Sequence, residues 1–202
     1  IALLLNEEFF GRPVARALVL LPWAIAEYTA AVIFAFLFDQ SWGALNGLFY
    51  QLGIIPGYIP WLSVERALYL VAIAWSWHSA PLGAFFFLGA LQAVPNDLYN
   101  ASRIDGAGPL RRFVVVTAPF LRHSFIIVLI LSIVESLREL DLIFVMTYGG
   151  PAGATQVFSY WIYRVTFAQL DIGYGSAMAW ILAILTTVIC LFLFMLLTRR
   201  RR

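Results

Sequence analysis

Lysine is absent from this 202-residue chain, and charged residues of any kind are scarce. Only 12% of the residues are charged, about half of the quarter that is usual in a soluble domain. The phosphate-binding loop of nucleotide hydrolases contains a lysine, so its absence excludes such a loop within these residues. Cys190 is the single cysteine, which excludes an internal disulfide framework and a cysteine-based metal site.

Apolar residues make up 62% of the chain, and its mean hydropathy is +0.87. Because about 20 predominantly apolar helical residues cross a bilayer core, we predict an all-α integral membrane protein. It would form one transmembrane domain over 1–202, a multi-span helical bundle. The predicted spans lie at about 17–38, 67–91, 124–146 and 177–198.

The arginines predict which side of the membrane each loop occupies. Counting loops alternately, one side holds ten of the thirteen cations, namely Arg12, Arg16, Arg103, Arg111, Arg112, Arg122 and Arg199 to Arg202. The positive-inside rule places that side in the cytoplasm, and with it the loop at about 95–120. The basic run 199–202 is most simply a topological anchor that contacts anionic membrane lipid.

The 95–120 loop has the pattern of two short helices joined by a tight turn. Pro95 can open the first helix, and Asp105-Gly106 can end it. Gly108 and Pro109 are suited to starting the second helix. An ordinary loop that lies on lipid headgroups through its arginines is the alternative, and these physical signals leave both interpretations open.

This loop resembles the cytoplasmic Glu-Ala-Ala loop of permease subunits from binding-protein-dependent ABC importers. Asn100-Ala101-Ser102 occupies the Glu-Ala-Ala positions, Gly106 has the required spacing, and Val116-Thr117-Ala118-Pro119 closes the pattern. Asn100 replaces the usual glutamate, so it offers neutral hydrogen bonds in place of charge-assisted ones. Tyr148-Gly149-Gly150-Pro151 and Leu20-Leu21-Pro22-Trp23 are similar to segments of the first permease subunit in the carbohydrate-uptake branch.

The resemblance implies a fold with short cytoplasmic coupling helices, in a multi-pass protein of a bacterial or archaeal cytoplasmic membrane. It implies a subunit of the maltose or glycerol-phosphate type that is truncated at its N-terminus. The ATPase-coupling residues would be Asn100, Ala101, Ser102, Asp105, Gly106, Ala107, Val116 and Pro119.

The same resemblance implies that this chain is a transport subunit and not an enzyme. Its cargo would be a sugar or a related polyhydroxylated solute. The implied partners are a cytoplasmic ATPase dimer, a second permease subunit and an extracytoplasmic solute-binding protein, with no role for nucleic acid. ATP and Mg would be used by the ATPase, and this chain would bind no cofactor.

Charged residues within the third predicted span have two interpretations. Glu135, Arg138 and Glu139 share one arc of a helix because residues three and four apart are neighbours. They could be an ion-paired cluster in the headgroup zone, or they could line the substrate pathway, since charges within spans usually face a cavity or each other. The alternative function is an ion-gradient-driven secondary transporter, in which such carboxylates would carry protons.

Overall fold

The structure is a computed structural model that describes residues 1–198; the predicted anchor at 199–202 lies outside the described residues. Helices make up the secondary structure of the described part, which confirms the all-α prediction. The α-helices are α1 (Ala2–Asn6), α2 (Arg12–Ala24), α3 (Glu27–Leu37), α4 (Ala44–Gln51), α5 (Ala67–Gln92), α6 (Asn96–Ile104), α7 (Pro109–Arg112), α8 (Ala118–Arg138), α9 (Asp141–Met146), α10 (Phe158–Tyr163) and α11 (Ile172–Thr198). Two π-helical turns, Phe113–Thr117 and Arg164–Ala168, lie before α8 and after α10.

Three continuous helical segments are long and apolar enough to cross a bilayer. They are α5, the 30-residue run Pro109–Arg138 that joins α7, the first π turn and α8, and Ile172–Leu197 within α11. The second of these begins well before the expected start at residue 124. The second half of the 95–120 loop, from Pro109, and the span after it therefore form one continuous helical path.

The expected span 17–38 is two helices, α2 and α3, that meet at 88°. Proline within α2, at Pro22, weakens the helix because it lacks an N–H group and its ring crowds the preceding turn. Ile25 and Ala26 then adopt extended backbone angles. The Ile25 carbonyl accepts a hydrogen bond from His78 Nε2 on α5 at 3.0 Å, so a group released by the break is satisfied by a neighbouring helix.

The expected span 124–146 is also interrupted. α8 ends at Arg138, Glu139 turns to an extended conformation, and α9 begins at Asp141. The Glu139 Oε1 atom accepts a hydrogen bond from the Leu142 N–H at 2.9 Å, which caps the start of α9. The charged residues that interrupt the apolar pattern thus mark a helix boundary.

The largest buried cluster lies where α3, α5, α9 and α10 meet. Phe34, Ala74, Leu142, Ile143 and Tyr160 are among its members, and each is at most 9% exposed. By the predicted orientation this cluster lies toward the outer face. Tyr160 is 5% exposed within this core and donates a hydrogen bond to the Tyr148 carbonyl at 2.7 Å.

At the opposite end of the bundle, arginine side chains donate hydrogen bonds to carbonyl groups near the ends of helices. Arg122 on α8 donates to the Leu197 carbonyl near the end of α11. Arg12 and Arg16 donate to the Leu5 carbonyl at 3.1 and 3.2 Å, so they cap the end of α1. Several of the arginines used to predict orientation therefore lie at one end of the bundle and satisfy helix carbonyls there.

Candidate functional site

The first candidate site is the two-helix loop at the end of the bundle predicted to be cytoplasmic. α6 ends in a Schellman motif: the Gly106 N–H donates to the Arg103 carbonyl at 3.0 Å, and the Ala107 N–H donates to the Ser102 carbonyl at 2.9 Å. Gly106 has φ of +72°, a left-handed conformation that side chains other than glycine rarely adopt. The chain therefore turns sharply at the position where the family pattern requires glycine.

A continuous helical path connects this turn to the membrane. Pro109 starts α7, and the π turn Phe113–Thr117 continues directly into α8. Tyr99 on α6 and Thr117 in the π turn are joined by a hydrogen bond of 3.0 Å between their hydroxyl groups. Thr117 is only 4% exposed. α6 is thus held against the start of α8 by a hydrogen bond, in addition to the chain connection through α7 and the π turn.

The predicted coupling residues are not all on the surface. Five of them are exposed, namely Asn100, Ala101, Asp105, Gly106 and Pro119, whereas Ser102 and Ala107 are half-buried. Val116 is 8% exposed and belongs to the packing of the π turn. The Ser102 hydroxyl donates back to the Tyr99 carbonyl at 2.8 Å. The predicted coupling residues therefore include some at the surface of the loop and others that stabilise its conformation.

Exposed apolar side chains surround the turn. Ile104 is 87% exposed, Leu110 is 79% exposed and Leu98 is 41% exposed. Isolated apolar residues are common on surfaces, but three exposed ones close in sequence to one structured turn are available for burial by a protein partner.

Asn100 also lines a cavity of about 610 Å³ between α1, α6 and α7. Arg103 and Arg112 line the same cavity, and Glu7 lies across it. The side chain that replaces the family glutamate therefore lines the same cavity as two arginine side chains of its own chain.

The second candidate site is a polar cavity of about 410 Å³ beside the two helix breaks. Trp23 and Glu27 line it from the α2–α3 break, and Trp75, His78 and Ser79 line it from α5. The third wall is the α8–α9 junction, which contributes Glu135, Arg138, Glu139 and Asp141. All three residues predicted to line the substrate pathway, Glu135, Arg138 and Glu139, thus border this polar cavity.

The three predicted pathway residues differ in their surroundings. Glu139 is 8% exposed, caps α9, and its carboxyl group contacts that of Glu27. Glu135 and Arg138 are exposed. Among residues 1–198, Arg138 forms no ion pair with Glu135, Glu139 or Asp141. An ion-paired cluster is therefore not the arrangement observed, and the free groups border the cavity.

Sequence reasoning did not select Trp23 or Asp141 for this site. Nor did it select Trp75, Trp77 or His78 on α5. Trp77 does pack edge-on against Phe34, with ring centroids 5.4 Å apart, but Trp75 and His78 line the polar cavity. Pro22 is the signal in the sequence that could have located this cavity. A proline within an apolar span marks a break in the helix, where freed backbone groups meet side chains of neighbouring helices.

Metal binding finds little support in this arrangement. Within residues 1–198, no group of three or more histidine, cysteine, aspartate and glutamate side chains is placed to hold a metal ion. The chemistry available at the polar cavity is hydrogen bonding and charge, with two indole rings beside it.

These features together are those of a multi-span membrane protein: long apolar helices, a polar cavity between two broken ones, and a structured loop at the opposite end. The family described as the binding-protein-dependent transport system inner membrane component matches residues 1–202. The chain belongs to this family.

Curated relatives extend the comparison. A trehalose/maltose transport system permease protein of Thermococcus litoralis is 39% identical over 192 residues, covering 94% of this chain and 62% of the relative. A sulfoquinovosyl glycerol transport system permease protein of Agrobacterium fabrum is 35% identical and covers 89% of this chain and 58% of the relative. The chain thus spans about three fifths of the length of these relatives.

The fold also has a counterpart among solved structures. A chain from a bacterial ABC transporter involved in importing the acidic polysaccharide alginate superposes with a TM-score of 0.83. The match covers 100% of this chain and 71% of that one, at 20% sequence identity. At this identity the likeness establishes the fold alone.

Proposed function

We propose that this chain is a permease subunit of an ABC importer that carries a sugar or a related polyhydroxylated solute into the cytoplasm. The observation that carries the proposal is the folded 95–120 loop, in which the spaced family pattern forms a two-helix turn around Gly106. Family membership supports an ATP-driven importer over the ion-gradient-driven alternative. Relatives named for trehalose or maltose and for sulfoquinovosyl glycerol support a carbohydrate-like solute.

The proposed partner of the loop is a cytoplasmic ATPase subunit, acting as a dimer that uses ATP and Mg. α6 would seat in this partner with Asn100, Ala101 and Asp105 at the contact, and the exposed side chains of Ile104 and Leu110 suit burial there. These 202 residues contain no phosphate-binding loop sequence, so we assign ATP hydrolysis to that separate subunit.

Force would pass from α6 to the membrane along two connections. One is the continuous helix from Pro109 to Arg138, and the other is the hydrogen bond between Tyr99 and Thr117. A stiff connection is needed because a flexible loop would absorb the displacement before it reached the spans. Val116 belongs to this connection by packing within the π turn, rather than by touching the ATPase.

The polar cavity is the proposed solute pathway through this chain. Glu135, Arg138 and Glu139 border it, and carboxylate and guanidinium groups form hydrogen bonds with hydroxyl-rich solutes. A second permease subunit would complete the pathway, and an extracytoplasmic solute-binding protein would deliver the solute to the outer end, as the family's name indicates.

A Gly106→Val exchange tests the coupling role. Valine is β-branched and strongly disfavours the φ of +72° at this position, although no atom lies within 4 Å of the site of its Cβ. We expect normal membrane insertion but a loss of solute uptake and of solute-stimulated ATP hydrolysis, measured with the full-length chain in its complete complex. Gly106→Asn should retain more activity because asparagine tolerates the left-handed conformation better.

The matched control is Gly108→Val. Gly108 lies two residues away, also has open space around it, and has an ordinary φ of −67°. It should therefore tolerate the same added side chain. Unchanged uptake by Gly106→Val at normal expression would contradict the coupling role. Uptake that collapses with an uncoupler while ATP is maintained would favour the secondary transporter.

A further inference from the structure

The polar cavity carries an excess of negative charge. Four carboxyl groups line it, from Glu27, Glu135, Glu139 and Asp141, against the single guanidinium of Arg138. The side chains of Glu27 and Glu139 are in contact with each other. Acidic side chains thus outnumber basic ones four to one among these charged lining residues.

Two of these carboxyl groups are free to bind a solute. Glu139 is committed to the Leu142 N–H and to its contact with Glu27. Glu135 and Asp141 are exposed, and among residues 1–198 neither side chain forms a hydrogen bond or an ion pair. An ionised carboxylate only accepts hydrogen bonds, so its partners are donors such as hydroxyl and ammonium groups.

The remaining walls add apolar surface but little positive charge. Trp23 is 48% exposed and Trp75 is half-buried, so both indoles can contact the apolar face of a sugar ring. His78 Nε2 already donates to the Ile25 carbonyl and is not available to a solute. Among the described residues that line the cavity, Arg138 is the one with a permanent positive charge.

We infer that the polar cavity admits neutral or cationic polyhydroxylated solutes and discriminates against anionic ones, with Glu135 and Asp141 as the selecting residues. The inference rests on the proposed function, because it names the solute class for the same pathway. A sugar carboxylate or phosphate would leave water for a site where negative charge outweighs positive charge. Hydroxyl groups would instead donate to the carboxylates, and an amino group would add a charge-assisted bond.

The test is direct binding to the purified full-length complex without ATP or binding protein. Three probes of similar size are compared by equilibrium binding: glucosamine, glucose and glucuronate. We expect glucosamine to bind at least as tightly as glucose, and glucuronate to bind about tenfold more weakly or worse, since charges about 4 Å apart interact appreciably even in a partly polar site.

Three variants assign the effect to this chain. Glu135→Gln keeps the size of the side chain but removes one charge, and should narrow the ratio of glucose to glucuronate affinity about three- to tenfold. Arg138→Gln should widen that ratio. Glu65→Gln is the matched control, because Glu65 is an exposed carboxylate in the α4–α5 connection outside the cavity, and should leave the ratio unchanged.

Equal affinity for glucose and glucuronate would overturn the inference. A ratio of glucose to glucuronate affinity that Glu135→Gln leaves unchanged would overturn it too, as would the absence of binding of all three sugars. Solute-stimulated ATP hydrolysis on the same preparation separates this result from the proposed function. Stimulation without charge discrimination would refute only the inference, whereas a complex that neither transports nor couples ATP hydrolysis to solute would refute the proposed function.

Discussion

A single buried amide, Asn46, organises the connection between α3 and α5. Its side chain is 0% exposed. The Nδ2 group donates to the carbonyls of Gln40 and Ile59 at 3.1 and 2.9 Å, while Oδ1 accepts from the Ile59 N–H and the Trp61 Nε1–H at 3.2 and 2.9 Å. One asparagine side chain thus forms hydrogen bonds with backbone groups of Gln40 and Ile59 and with the indole of Trp61. The chain has no regular secondary structure around residue 59.

We predict that Asn46→Asp destabilises this outer segment. The aspartate has nearly the same shape, but as a carboxylate it cannot donate to the two carbonyls and leaves them facing a negative charge. Each buried polar group left unsatisfied costs about 1–3 kcal/mol. Thermal unfolding of the detergent-purified protein should show a fall in Tm of several degrees, on the order of 2–4 °C for each kcal/mol.

Gln51→Glu is the control for this exchange, since it makes the same chemical change at an exposed residue of the same outer segment. It should leave Tm unchanged. An Asn46→Asp protein as stable as the original would mean that the amide's donor hydrogen bonds contribute nothing to the fold.

At the level of helices, the parts that could be predicted are those with local signals. Pro95, Gly106 and Pro109 mark the start of α6, its end and the start of α7, and each acts through its own backbone geometry. The existence of the long apolar helices α5 and α11 could also be predicted, because the required length and composition are continuous in the sequence.

The helix breaks could not be predicted in the same way. The turn after Pro22 is stabilised by His78, which lies 53 residues from Ile25 in the sequence. Glu139 looked like one of several charges on a helical face, but it caps a new helix and contacts Glu27 on another element. The polar cavity therefore depends on long-range contacts that periodicity does not encode, although three of its residues were predicted.

The contact between α6 and the π turn gives a prediction about these elements. Removing either hydroxyl group, by Tyr99→Phe or Thr117→Val, should weaken solute-stimulated ATP hydrolysis by about fivefold at most, because a neutral hydrogen bond contributes about 1 kcal/mol. Basal hydrolysis and expression should remain near normal. The assay is ATP hydrolysis by the complete complex with and without solute and binding protein.

The double variant distinguishes a specific contact from general damage. If the two hydroxyl groups act through each other, Tyr99→Phe combined with Thr117→Val should cost no more than either change alone. Tyr69→Phe on α5 is the control, because that side chain is 73% exposed and no hydrogen bond of its hydroxyl is involved in the loop. Full additivity of the two losses would argue against the fastening role of this pair.

Over residues 1–198, the main cluster of buried side chains lies at one end of the bundle, and many apolar side chains outside it are exposed. The α3–α5–α9–α10 core is compact, whereas the most apolar 18-residue stretch of α11 has no buried residue. Trp180, Phe192 and Met195 on α11 are each at least 60% exposed. In water such a surface would drive aggregation, so lipid or another protein chain must cover it.

This arrangement predicts an orientation that chemical labelling can check. The loop containing Ala101 is expected in the cytoplasm because the arginines gather at that end, and Ser41, in the turn after α3, is expected outside. Both residues are exposed, so a cysteine at either position should be accessible from its own side. Cys190, the only native cysteine, is first replaced by serine to give a silent background.

In sealed spheroplasts, a membrane-impermeant maleimide should label Ser41→Cys at once but label Ala101→Cys only after permeabilisation. The Cys190→Ser background alone should remain unlabelled under both conditions. Labelling of Ala101→Cys in sealed spheroplasts would invert the topology. The loop around Gly106 would then be out of reach of a cytoplasmic ATPase, and the polar cavity would open toward the cytoplasm instead of toward the side from which a binding protein delivers solute.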